Sequence, residues 1–166
     1  MKNKVPYVWS KDCEKEFKDV KTAIAAAPAL QGFDPQYNTC ITTDASKRGL
    51  GAVLSQYNED GVELVIAYAS RALSPTEERY AVIEREALAC AWALEHFRTF
   101  VWGKYVQIRC DHKPLIKVFT TEGLLRATPR LARISVRMLD YRYKVEYIPG
   151  KCNVVADFLS RMPKPL

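Results

Sequence analysis

Between residues 38 and 72 the apolar and β-branched positions fall into three short runs, with turn residues between them at Lys47–Gly49 and Asn58–Gly61. Runs this short, bounded this way, predict strands at about 38–44, 49–57 and 62–70 arranged as a hairpin meander. The third, ELVIAYAS, is almost continuously apolar, which predicts a central strand covered on both faces. The period then changes. Ser74 with Glu77 three residues later forms a capping box around Pro75, and Tyr80, Ile83, Ala87, Cys90, Ala91, Leu94 and Phe97 recur at helical spacing. A helix from Pro75 through Phe97 follows. Glu84 falls on its polar side, whereas Glu86 lies on a flank with Val82, Ala89, Cys90 and Ala93, an odd place for a carboxylate.

Further along, Tyr105 to Cys110 reads as a fourth strand that delivers Asp111 at its end, and Pro114 opens a short helix through Ile116 and Phe119. Thr128 caps a helix with Pro129 at its first position, turning Leu131, Ile134, Ser135 and Met138 inward and leaving Arg130, Arg133 and Arg137 as a basic stripe. YRYKVEYI alternates cleanly, as a half-exposed edge strand does. Gly150 turns the chain, and Asn153 caps a last helix that carries Asp157. Ahead of all this, residues 1–35 read as an approach segment, with Ser10 capping a helix that places Cys13, Phe17, Val20 and Ile24 on one face until Pro28. The order β-β-β-α-β-α-β-α predicts a mixed α/β (α+β) fold: a five-stranded sheet, antiparallel on one side and parallel on the other, flanked by helices.

Composition narrows the function classes. At 166 residues the chain suits one domain, and no apolar run approaches the roughly 20 residues that span a bilayer. The N-terminus has no apolar core of a secretory signal. Cys13, Cys40, Cys90, Cys110 and Cys152 form no C-x-x-C pair, so they read as the reduced thiols of a cytosolic protein, not as a zinc site or disulfide framework. The net charge of +6 favours an anionic partner such as nucleic acid.

Four carboxylates carry the candidate chemistry. Asp44 and Asp111 end strands, Glu86 sits on its helix flank, and Asp157 lies near a helix start. If the first and fourth strands are neighbours, these groups converge, and they cannot all stay ionised without multivalent cations; hard Mg²⁺ or Mn²⁺ fits. Two such ions about 4 Å apart would clamp the attacking and leaving oxygens of a phosphodiester hydrolysis. Plainer roles exist for each: a turn cap for Asp44, a helix-dipole partner for Asp157, an arginine pair for Glu86 with Glu77 or Glu84 in its place, and a solvated face for the arginine stripe.

The stretches TDASKRGLGAVLSQ, IAYASRALSPTEERYAVIEREALA, CDHKPL and YIPGKCNVVADFLSR, spread in order over residues 38–161, resemble the ribonuclease H domain of Ty3/gypsy-type retrotransposon reverse transcriptases. The opening VWSKDCEKEFKDVKTAIAAAPAL resembles the segment that connects polymerase to ribonuclease H in those polyproteins. The resemblance implies a connecting segment at 1–35 and an RNase H-like domain at 36–162. It also implies hydrolysis of the RNA strand of an RNA–DNA hybrid with two Mg²⁺ ions (Mn²⁺ as substitute) held by Asp44, Glu86, Asp111 and Asp157. Substrate contacts are expected from Arg48, Ser70, Asn153, Arg130, Arg133 and Arg137. An upstream polymerase domain in the same polyprotein and a cytoplasmic virus-like particle are the partner and setting this implies, with self-association into a dimer left open and no membrane involved. Two positions depart from the pattern. Cys110 precedes Asp111 where the family usually has threonine, and residues 148–156 lack the histidine that cellular and retroviral enzymes carry before the last aspartate, as gypsy-type elements also do. Other readings are a catalytically silent module that binds nucleic acid, spaces domains or dimerises, and a transposase or integrase of related fold. The latter needs an Asp, Asp, Glu order, but here Glu86 precedes Asp111.

Overall fold

The computed structural model describes Glu14 and residues 30–162, so the helix expected around Ser10 to Ile24 lies outside the described residues. Strands β1 (Asn38–Ala45), β2 (Gly49–Tyr57) and β3 (Glu63–Ala72) form the expected antiparallel meander. Strand β4 (Tyr105–Cys110) pairs parallel to β1, and β5 (Arg142–Tyr147) parallel to β4, giving the order β3-β2-β1-β4-β5. The mixed sheet is the one the pattern predicts, with β5 at its edge.

The central covered strand is β2, not β3. Every residue of β2 but Tyr57 is buried, while β3 forms the other edge and buries only Ile66 and Ala69. The apolar run of β3 misleads because Ile66, Ala69 and Leu73 face the core while Val65 and Tyr68 line a surface cleft on the opposite side. Gln31 N–H bonds Val65 O, partly closing that edge.

Helix α1 (Val82–His96) packs on β1 and β2. It starts later than the pattern predicts. The Ser74–Glu77 box does form, with Ser74 N–H bonding Glu77 and Glu77 N–H bonding Ser74 Oγ, but it closes only a 3₁₀ turn at Glu77–Arg79. Tyr80 is extended, and the helix begins anew with Glu84 Oε2 accepting from Ala81 N–H. Short helices α2 (Arg98–Val101), α3 (Pro114–Val118) and α4 (Thr121–Leu125) connect to α5 (Pro129–Val136), which starts where Thr128 Oγ1 accepts from Leu131 N–H. As expected, Leu131, Ile134, Ser135 and Met138 are buried.

Helix α6 (Val154–Arg161) lies across the other face, against β1 and β2. Gly51 permits that approach: a Cβ there would stand 2.2 Å from Ala156 O and 2.6 Å from Ser160 N. Three-layer packing thus clamps the Asp44 end of β1 between α1 and α6. Among the described residues no helix is long and apolar enough to cross a membrane. The free thiols of Cys40, Cys90 and Cys110 are buried and that of Cys152 is exposed.

Candidate metal centre

Because β1 and β4 run parallel with Thr42 beside Arg109, the same register two residues on sets Asp44 beside Asp111, just past the end of β4. Helix α1 crosses this edge and adds Glu86. One carboxylate oxygen from each of Asp44, Glu86 and Asp111 lies within 4.8 Å of the others. Asp44 and Glu86 are 5% exposed. Asp44 is held by two neutral donors from the α6 side, Ser160 Oγ at 2.5 Å and Asn153 Nδ2 at 3.4 Å. Burial raises its pKa; Ser160 opposes this, and the charges of Asp111 and Asp157 add to the rise.

Glu86 is the most perturbed member. Burial first, then the charges of Asp44 and Asp111, push its carboxyl up to about 9, against one hydrogen bond from the Ala45 N–H. Its Oε2 is buried and has no partner among the described residues. An orphaned oxygen on a member of a cluster of hard oxygen donors is a large unmet demand for positive charge. The donor set has no nitrogen or sulfur, which suits Mg²⁺ or Mn²⁺ and not zinc. These residues fit a divalent cation.

Asp157 stands apart from this trio. It lies in the first turn of α6, near enough for its charge to act on Asp44, but its carboxylate is gripped by Arg161, with Nε at 2.8 Å from both oxygens and Nη2 at 2.6 Å from Oδ1. The hydrogen bonds and charge of Arg161 lower its pKa.

The other expected residues divide by place. Asn153 occupies the N-cap position, but its side chain does not cap the helix: it is 1% exposed and donates to Thr43 O and Asp44, because the edge of the site needs a donor more than the helix start does. Ser70 lies in the same row of the sheet as Asp44, across Gly51. Arg48 lies in the β1–β2 turn. The arginine stripe sits away from the trio on α5. Arg130 pairs with Glu84 at 2.8 Å over the Tyr80 ring, and Arg137 pairs with Glu95 at 2.6 Å, so both tie α5 to α1; Arg133 is exposed.

Ser160, Arg85 and Arg161 escaped the sequence reading. Ser160 had a signal: it falls one turn after Ala156 on α6, and a small polar residue on a buried face needs a partner. Arg85, beside Glu86, is 7% exposed, with Nη1 donating to Ser46 O at 2.7 Å.

Comparison with known proteins bears on this site. The family model described as "RNase H-like domain found in reverse transcriptase" matches residues 34–141. The Pol polyprotein of transposon 412 from Drosophila melanogaster is 40% identical over 161 residues, which cover 97% of this chain and 13% of that polyprotein. The chain spans 12–16% of the length of the curated relatives it matches. Among solved structures, RNase H1 of Halobacterium salinarum NRC-1 aligns with TM-score 0.56 and 21% identity, covering 74% of this chain and 93% of that one. LC11-RNase H1, solved in complex with an RNA/DNA hybrid, aligns with TM-score 0.56 and 18% identity, covering 76% and 96%.

Proposed function

Since the chain belongs to the RNase H-like domain family found in reverse transcriptases, we propose that it is a divalent-metal-dependent endonuclease that hydrolyses the RNA strand of RNA–DNA hybrids during retroelement replication. The observation that carries this reading is the trio of buried Asp44, buried Glu86 and half-buried Asp111, with its orphaned Glu86 oxygen. Asp44, Glu86 and Asp111, joined by Asp157, would hold two Mg²⁺ ions, for which Mn²⁺ substitutes. When bound, the ions supply Lewis-acid stabilisation of the attacking and leaving oxygens.

The chain's own groups prepare that site. Ser160 and Asn153 fix the orientation of Asp44 through neutral hydrogen bonds that leave its charge intact. The Ala45 N–H anchors Glu86 while leaving Oε2 available. Gly150 gives room to Asp111, since a Cβ there would stand 3.1 Å from its Oδ2. The RNA strand would be recognised by its 2′-hydroxyls and backbone, with weak sequence preference and steep salt dependence. An RNase H1 of the same fold is solved with an RNA/DNA hybrid. The relatives are Pol polyproteins, so an upstream polymerase domain in the same polyprotein would share the substrate within the cytoplasmic particle of the element.

The test is a labelled RNA–DNA hybrid incubated with the protein in Mg²⁺ or Mn²⁺, beside Asp111→Asn and duplex DNA. Cleavage of the RNA strand alone, absent in the variant, is expected. Hybrid bound but intact in both metals would overturn the reading and leave a silent nucleic-acid-binding module.

A further inference from the structure

Beside the carboxylates, the β1–β2 turn borders a cavity of about 470 Å³ lined by Ala45, Ser46, Lys47, Arg48, Arg85 and Arg161. Its four cations each adjoin the metal centre: Lys47 and Arg48 follow Asp44 closely, Arg85 precedes Glu86, and Arg161 grips Asp157. Arg85 is nine-tenths buried, with Nη1 donating to Ser46 O and Nε without a hydrogen-bond partner among the described residues. Among the described residues the side chains of Lys47 and Arg48 enter no ion pair. Lys47 and Arg48, unpaired beside two guanidinium groups, suit a phosphate, whose oxygens match the guanidinium fork.

Arg161 belongs to both places. It lines the cavity, and it also occupies both oxygens of Asp157, which stays outside the 4.8 Å trio. This pair is an exposed i,i+4 contact, with Arg161 67% and Asp157 38% exposed. Such pairs are weak, so an anion that offers Arg161 a second partner can displace it.

We propose that Arg161 is a latch: in the free protein it holds Asp157 off the trio, and a nucleic-acid backbone phosphate entering the cationic cavity draws Arg161 away and releases Asp157 to bind metal. The proposal rests on the metal-dependent nuclease reading above. Arg161 is then a positioning residue that acts through Asp157. Since the coupling is reciprocal, nucleic acid tightens metal binding and metal tightens nucleic-acid binding. The full metal complement is completed only where a backbone is present.

Mn²⁺ titrations followed by electron paramagnetic resonance of the free ion test this on the full 166-residue chain. Wild type, Arg161→Ala and the double variant Arg161→Ala with Asp157→Asn are compared alone, with duplex DNA as an uncleaved backbone, and with inorganic phosphate. Duplex DNA is expected to tighten Mn²⁺ binding by wild type about 5-fold or more. Arg161→Ala should show that gain without DNA and none on adding it, and the double variant should lose it. Equal Mn²⁺ affinity in wild type and Arg161→Ala, with binding abolished by Asp44→Asn, overturns the latch while the metal centre stands. No Mn²⁺ binding by any form overturns both. The full effect from inorganic phosphate alone overturns the assignment to a nucleic-acid backbone. Thermal melting of each variant shows that it is folded, as substitution of an exposed arginine permits.

Discussion

Glu84 and Glu86 stand two residues apart on helix α1, are almost equally buried at 7% and 5% exposure, and differ in everything that decides charge. Burial would raise the pKa of Glu84, but Arg130, the Ala81 N–H and the Thr128 hydroxyl together overcome it and the net shift is downward. For Glu86 burial, joined by the charges of two aspartates and opposed by one backbone donor, raises the carboxyl to about 9. One glutamate is finished by the protein. The other keeps a buried oxygen with no partner among the described residues. Burial alone therefore marks neither a structural nor a functional carboxylate; what separates them is whether the surrounding donors satisfy the charge.

Exchange of each glutamate for glutamine should separate the two roles. Glu86→Gln is expected to lower hybrid cleavage by roughly 10³-fold or more, the loss of several kcal/mol of metal-dependent stabilisation. In chelator it should melt no lower than wild type, because the amide keeps the shape and, unlike the carboxyl, takes up no proton on folding. Glu84→Gln should do the reverse, weakening the fold by about 1–3 kcal/mol through the loss of a charge-assisted hydrogen bond while cleavage of folded protein persists. A Glu84→Gln protein as stable as wild type but inactive would erase the distinction. Chemical denaturation and single-turnover cleavage read the two effects independently.

Divalent metal should act on one side of the comparison only. At 100 times the dissociation constant, Mg²⁺ or Mn²⁺ stabilises a single-site protein by about 2.7 kcal/mol. A rise in melting temperature of several degrees is expected for wild type and Glu84→Gln, and a much smaller one for Glu86→Gln. An equal rise in all three would place the cation elsewhere.

Local pattern made Glu86 legible and Glu84 illegible, for one physical reason. Glu86 was conspicuous because its helical neighbours Val82, Ala89, Cys90 and Ala93 are small and apolar, which the 3.6-residue period reveals. Glu84 read as solvated because the partners that bury it, Thr128 and Arg130, come from helix α5, 44 and 46 residues away. The same limit explains β3, whose apolar run cannot say whether its second face meets a sheet neighbour or a surface cleft. It also explains the helix start: the Ser74–Glu77 box forms as written, but only tertiary fit decides that the chain breaks at Tyr80 and starts again at Val82. Asn153 carried a cap signal and serves Asp44 instead. Strand order and the parallel β1–β4 pair were legible, since the meander followed by α/β alternation leaves few other sheets.

The smallest effect is the pH dependence of stability in metal-free buffer, where satisfied and unsatisfied carboxylates pull in opposite directions. Glu77, held by Arg71 and the Ser74 N–H, is lowered to about 2 from 4.5. Its unfolded form binds the proton more readily, so its contribution is full above about pH 4.5 and disappears as pH falls toward 2. Allowing for screening of this half-buried pair, the loss is about 1–2 kcal/mol. Glu86 has the opposite sign. Its folded state holds the proton up to about pH 9 while the unfolded chain releases it near 4.5, so the fold weakens as pH rises between them. Urea melts in chelator from pH 3 to pH 9 should therefore show an acid limb reduced by Glu77→Gln and a separate alkaline decline largely removed by Glu86→Gln. Added Mg²⁺ should remove the second limb and leave the first, because only the unsatisfied carboxylate has a site for the ion. An alkaline decline that persists in Glu86→Gln would mean that the crowding of the trio is not what the fold resists.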